Sequence, residues 1–540
     1  MVKYVSFFLI LLPGYVWAQQ YQFTHDDTLR GTITPQRTWW DLTYYHLKIR
    51  LNVKDSSLAG SNEIWYKVLE SAQEMQIDLQ RAMRVTQIVQ DGKTLKFRQD
   101  DDAYFVTLDK PQLPGHLEAI TVYYDGKPHK ARRPPWDGGF VYKQDKEGNP
   151  FIATACQGLG ASSWWPCKDH PYDESDSMRI SITVPKPLLD VSNGKLVEVT
   201  ENADGTRTFN WFVDNPINNY GVNLNAAKYA HWSDTYQGLN GPLALNFYVL
   251  PEHLEPARKQ FQQVPLMLKA FEYWFGPYPF YKDGYKLVEV PYLGMEHQGS
   301  VTYGNKFKNG YLGRDLSGTG WGMKWDFIIV HESGHEWFAN NITNRDVADM
   351  WIHESFTNYS ESLFTEYYYG KQAGADYVIG CRKLIRNDRP VQGIYNVNFS
   401  GSGDMYYKGG NMLHTIRQLV NNDERWHQML LGLNKTFYHQ TVTATQIETF
   451  MSTFLELDLG KIFDQYLRDI RIPTLEYTFK NGKLEYRWTN CVPGFAMPVK
   501  VKLGNSTVNL TPTTDWKRQS AKGNTSLTVD INYYVKSKAI

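Results

Sequence analysis

The sequence predicts a multidomain α+β protein, and three observations carry that expectation. Residues 40–240 alternate apolar and polar side chains over short runs separated by turn residues, the pattern of a half-buried antiparallel sheet. From Trp325 to about Asp469 the apolar spacing is almost entirely helical. After Pro473, two alternating runs flank Asn481-Gly482, a strong hairpin signal.

The β region begins with Leu47, Ile49, Leu51 and Val53, continues through Ala119 to Tyr124, and includes Ile180, Ile182 and Val184. Around Asn246–Pro291 the pattern is mixed: strand-like Phe247–Leu250 and Lys286–Pro291 bracket a helix near Ala257–Phe275. Two helices are then expected, Trp325–Asn341 and Met350–Tyr369, the second stopped by Gly370. Thr445-Gln446-Ile447-Glu448 reads as a capping box opening a later helix. The tail comprises Leu475–Phe479, Leu484–Trp488, Val499–Leu503 and Leu527–Tyr534, a small all-β unit. The expected division is residues 1–18 as a leader, 19–240, 241–472 and 473–540.

The chain has 540 residues, 42% of them hydrophobic and 15% aromatic, enough for several cores. Lys+Arg and Asp+Glu are both 57, so there is no basic excess of the kind nucleic-acid binding requires. Residues 1–18 read as a secretory signal: Lys3, the apolar run Phe7–Leu12, and Val16-Trp17-Ala18 before a cut that leaves Gln19 first. An exported protein, periplasmic or secreted, is expected, with no membrane span. Such a compartment permits disulfides, and Cys156 and Cys167 are the only sequence-local pair among Cys156, Cys167, Cys381 and Cys491.

The chemistry concentrates in His331-Glu332-Ser333-Gly334-His335. Histidines four apart on a helix share one face and can converge on one metal ion, usually zinc. Glu332 between them can act as a base toward water without being a ligand. Glu354, on the following helix, can supply a third ligand.

His-Glu-x-x-His followed after eighteen residues by Glu resembles the gluzincin aminopeptidases, the family of aminopeptidase N and leukotriene hydrolase. Gly294-Met295-Glu296-His297 resembles the family's Gly-x-Met-Glu-Asn motif, and Tyr406-Tyr407-Lys408-Gly409 its Tyr-x-Lys-Gly motif. The similarity runs from about Thr38 to about Thr474. It implies a saddle-like amino-terminal β domain, a thermolysin-like catalytic domain and a small β-sandwich. It also implies one Zn²⁺ per chain on His331, His335 and Glu354, and peptide substrates with a free amino terminus.

By the same resemblance Glu296 pairs with the substrate ammonium, and Gln157 adds a second contact from the β domain. Gly294, before Met295, leaves the backbone open to substrate. Tyr406, rather than adjoining Tyr407, donates to the oxyanion. Lys408 is structural, and Glu361 and Asp349 are candidates for orienting the ligands. The chain departs from the pattern at Leu293, at His297 and at His353-Glu354-Ser355. His297 either adds a titratable group or fills the Asn position. The leading expectation is a zinc aminopeptidase; the alternatives are a zinc endopeptidase or an inactive peptide-binding member. Side-chain preference, peptide length and oligomeric state are not legible.

Overall fold

The alternation from Trp40 to Asn52 becomes a strand that buries Tyr45, Leu47, Ile49 and Leu51 and turns Lys48 and Arg50 outward. This computed structural model describes residues 21–521 and 523–540, so the expected signal segment lies outside the described residues. The strand is central in an eight-stranded sheet with the order 195–201, 206–213, 177–185, 40–52, 57–68, 117–126, 83–90 and 93–94. All its pairings are antiparallel except one: Tyr44–Arg50 runs parallel to Ser177–Thr183. A strand returning after so long a connection is free to enter in either direction. Smaller sheets of four and three strands complete the β domain, whose core includes Trp164, Trp165 and Trp211.

The boundary expected at residue 240 falls inside a hairpin. Strand Ala230–Gly238 pairs along its length with Gly241–Val249, and both belong to a five-stranded sheet continued by Tyr285–Glu289, Val301–Tyr303 and the edge strand Gly294–Met295. The sheet that carries Gly294–Met295 therefore begins at Ala230. Its alternating pattern is indistinguishable from that of the preceding β domain. The single helix expected near 257–275 is two, Leu254–Gln260 and Gln263–Phe275.

Helices dominate from Phe327 to Leu467. The capping box at the helix Ala444–Leu455 is made by Thr443 and Gln446, two residues upstream of the expected Thr445 and Glu448. Thr443 has the extended backbone a cap requires, whereas Thr445 is already helical.

In the tail, Thr474–Lys480 and Lys483–Thr489 form the expected hairpin, with positive φ at Asn481 (49°) and Gly482 (72°). The strand expected over 527–534 spans only Leu527–Val529. The two tail sheets share one continuous apolar core with the helices, through Leu475, Trp488, Phe495 and Val501. Among the described residues no helix is long and apolar enough to cross a membrane. Every cysteine is a free thiol, so Cys156 and Cys167 are not bridged; both are buried.

Candidate active site

Asp326 starts the first ligand helix, accepting from the backbone N–H of Ile328 (3.0 Å) and Ile329 (3.3 Å). The helix covers Phe327–Gly334 and is buried throughout. It does not continue to Asn341 as the apolar spacing suggests. The chain leaves helical geometry at Phe338 (φ −128°, ψ 81°), and the Phe338 carbonyl turns onto the His335 ring, 3.0 Å from Nδ1. Gly334 permits the close crossing of the next helix, since a Cβ there would lie 2.7 Å from Ser360 Oγ. That next helix is Trp351–Tyr369, beginning one residue later than expected and carrying Glu354 in its first turn.

Donor atoms of His331, His335 and Glu354 lie within 4.8 Å of one another, and all three residues are buried. Glu354 Oε2 is 3.8 Å from His331 Nε2 and 3.4 Å from His335 Nε2. The far nitrogens are engaged elsewhere. His331 Nδ1 meets Glu361 Oε1 at 2.8 Å, and His335 Nδ1 meets the Phe338 carbonyl and Thr357 Oγ1 (3.1 Å). These acceptors place the ring protons on Nδ1 and direct both Nε2 lone pairs at Glu354. Glu354 Oε2 is buried without a hydrogen-bond partner. Two imidazole nitrogens and a carboxylate oxygen without a hydrogen-bond partner converge there, an arrangement that favours positive charge and that a metal ion would satisfy.

The electrostatics agree. Burial alone would lower the His335 pKa, but Glu354, Glu296 and Glu332 push it up to about 10. Burial would raise Glu354, yet His335 and His331 hold it down at about 2. The two-histidine, one-carboxylate donor set fits zinc. Burial, opposed by His331, pushes the Glu332 carboxyl up to about 7.

All nine residues expected in the site line one cavity of about 620 Å³: Gln157, Gly294, Met295, Glu296, His331, Glu332, His335, Glu354 and Tyr406. Gln157, from the β domain, donates through Nε2 to Glu296 Oε1 (2.6 Å) and to Glu354 Oε1 (3.0 Å). The Glu296 carbonyl accepts from Asn340 Nδ2 at 2.9 Å. A Cβ on Gly294 would come within 3.0 Å of Glu332 Oε1, so the missing side chain also makes room for that carboxylate. The ring of Tyr406 lies 6.0 Å from that of His331. Burial, with Glu354 and Glu296, raises its phenol well above the usual range and keeps it protonated. Tyr407 also lines the cavity but begins the next helix, Tyr407–Val420.

Glu361 is fixed by Asn358 Nδ2 (3.1 Å) and the Tyr377 hydroxyl (2.8 Å) as well as by His331. Asp349 does not touch the ligands; it bonds Gln392, Tyr395 and the backbone N–H of Ala444, tying the helices together. Lys408 is buried, with Nζ donating to the Asp469 carbonyl at 2.7 Å. His297 is buried beside Thr302 (Nδ1 to Oγ1, 3.4 Å) and held neutral, its pKa lowered by burial to about 3. It does not line the cavity.

Sequence reading missed Thr357, Asn358, Tyr377 and Tyr220. Thr357 and Asn358 carried a signal, since they follow Glu354 by a helical turn. Tyr377, on the helix Lys371–Gly380, and Tyr220, whose hydroxyl lies 3.5 Å from His353 Nδ1, carried none.

Comparison with known proteins assigns the chain to a family of peptidases. Residues 260–466 match the Peptidase family M1 domain and residues 42–220 the Peptidase M1 N-terminal domain. Leukotriene A-4 hydrolase of Xenopus laevis is 22% identical over 77% of this chain and 69% of its own length. Aminopeptidase N of Lactobacillus helveticus is 23% identical over 82% of this chain but 52% of its own. For a probable aminopeptidase 2 of Sulfurisphaera tokodaii the match spans only 35% of that relative. Among solved structures, an M1 zinc metallopeptidase from Deinococcus radiodurans aligns with TM-score 0.64 at 22% identity, covering 78% of this chain and 91% of that one. A mutant of that Deinococcus protein bound to a Tyr-Ser-Ala substrate aligns with TM-score 0.66 at 21% identity, covering 80% and 95%.

Proposed function

The chain belongs to peptidase family M1, and we propose that it is a zinc-dependent aminopeptidase releasing the first residue of peptides. The observation that carries this reading is the position of Gln157, bonded at once to Glu296 and Glu354. It sets a carboxylate suited to an ammonium directly beside the cation-binding cluster. A peptide whose amino terminus is paired with Glu296 presents only its first peptide bond there. The same pairing disfavours the endopeptidase alternative.

Zinc held by His331, His335 and Glu354 would supply Lewis acidity, lowering the pKa of water to about 7 and polarising the scissile carbonyl. Glu332, whose carboxyl pKa is raised by burial, takes the proton of the attacking water and delivers it to the leaving amine. Tyr406, protonated, donates its hydroxyl hydrogen to the developing oxyanion. Glu361 and the Phe338 carbonyl keep the ligand imidazoles in the required tautomer. Gln157 spends its amide N–H groups on Glu296 and Glu354, leaving its oxygen to accept from the ammonium. We further infer export, supported by the leader-like residues 1–18.

The test is metal content together with turnover. One zinc per chain is expected, with cleavage of aminoacyl-fluorophores lost to a chelator and restored by one equivalent of zinc. Full activity in metal-stripped protein would end the reading.

A further inference from the structure

The edge strand Gly294–Met295 pairs on one side only, with Val301–Tyr303, and both its residues line the active-site cavity. A peptide anchored at Glu296 and extended along this free edge passes Gly294 and then Leu293. Leu293 belongs to a shared wall. With Trp136 and Tyr311 it lines both the active-site cavity and a neighbouring cavity of about 830 Å³, further bounded by Pro134, Tyr292 and Phe307.

Trp136 is 66% exposed. Its β-domain loop is closed on itself by backbone contacts. The Asp137 carboxylate accepts from the backbone N–H of Arg132 (2.7 Å) and Arg133 (2.9 Å), and the Trp136 N–H donates to the Arg133 carbonyl (2.9 Å). A large exposed ring beside a cleft is a ready platform for an apolar ligand group. The charged groups of the second cavity are largely matched from within. His253 Nδ1 lies 2.6 Å from Glu289 Oε1, and Glu289 Oε2 accepts from the Leu250 N–H at 2.8 Å. The remaining charge there is the cation Lys306. No unmatched anion is left to select a basic side chain.

We propose that this second cavity is a subsite for a large apolar side chain of the peptide downstream of the scissile bond, with Trp136 of the β domain as its outer wall. The inference rests on the aminopeptidase reading above and adds to it a substrate class: short peptides with a bulky apolar residue one or two positions after the one released.

The experiment compares Leu-Gly-Gly, Leu-Phe-Gly and Leu-Gly-Phe as substrates of the zinc-loaded enzyme, alongside leucyl-fluorophore. One of the two phenylalanine peptides should exceed Leu-Gly-Gly about tenfold in kcat/KM, chiefly through KM, the scale of burying one aromatic side chain. In Trp136→Ala that preference should fall below about twofold, while Trp136→Phe should retain most of it. An exposed residue can be truncated without unfolding the chain, which circular dichroism would verify. Equal cleavage of the three peptides by wild type, or a preference that survives Trp136→Ala, overturns the subsite. Cleavage of the fluorophore with no cleavage of any tripeptide overturns it too. If nothing is cleaved, the fluorophore included, the aminopeptidase reading falls and the subsite falls with it.

Discussion

The candidate metal cluster and the proposed ammonium anchor adjoin each other but are assembled differently. The cluster is local: His331, His335 and Glu354 come from two consecutive helices, and the groups that orient the imidazoles, the Phe338 carbonyl, Thr357 and Glu361, lie on the second helix or on the segment that leads to it. The anchor joins two domains. Gln157 reaches from the β domain to Glu296, 139 positions away, and to Glu354, 197 positions away. Around it, Asn218 Nδ2 of the β domain bonds Asn340 Oδ1 (3.2 Å), and Asn340 holds the Glu296 carbonyl. Under the proposed function, the contrast assigns bond-breaking to one folded unit and the choice of which bond is broken to its packing against another.

Six substitutions, the last of them read across an acid titration, would break or sharpen that division. Glu332→Gln should lower kcat by about 10²–10⁴-fold while one zinc per chain remains, measured by mass spectrometry beside turnover; retained activity would remove Glu332 as the base. Tyr406→Phe should lower kcat about 10²–10³-fold, and Tyr407→Phe far less; the reverse ranking would reassign the oxyanion donor. Glu361→Gln should weaken zinc about 10–100-fold in chelator competition, because His331 loses its charged partner. Unaltered zinc affinity would mean that the Glu361 contact is only structural.

Gln157→Ala should leave zinc bound and reduce kcat/KM for free-amine substrates about tenfold, the scale of one hydrogen bond to a charged group. If it instead released the metal, the anchor and the cluster would be a single unit.

The smallest effect concerns acid. Burial lowers His297 and, with help from Arg37, His170 to pKa values of about 3. Both are neutral in the fold, whereas the unfolded chain protonates them near 6.5. Between about pH 6.5 and 3 the unfolded state binds more protons, so stability falls as pH falls, by up to about 1.4 kcal/mol per pH unit for each group. His297→Asn should flatten the decline in urea midpoint between pH 7 and pH 5. An unchanged slope would show that His297 does not titrate in this way.

The same contrast explains what could be read from the residues alone. The cluster was legible because helical spacing converts directly into side-chain convergence. Gln157 was reachable only through family resemblance, since nothing around Ala155–Gly158 marks it as facing a helix far along the chain. Tyr220 and Tyr377 act through tertiary contacts and left no local trace. The end of the ligand helix at Gly334 was hidden for a related reason: Trp337 and Phe338 continue the apolar spacing, and the chain turns there to bring the Phe338 carbonyl onto His335. The boundary at 240 was misplaced because a hairpin of the catalytic sheet alternates just as the β domain does.

The most direct measurement is kcat/KM for one aminoacyl-fluorophore with its amine free and with its amine acetylated, each with and without chelator. Chelator-sensitive cleavage of the free-amine substrate alone is the expected result, because acetylation removes the charge that Glu296 and Gln157 are arranged to hold. Equal cleavage of both would contradict the anchor and leave the cavity to an endopeptidase.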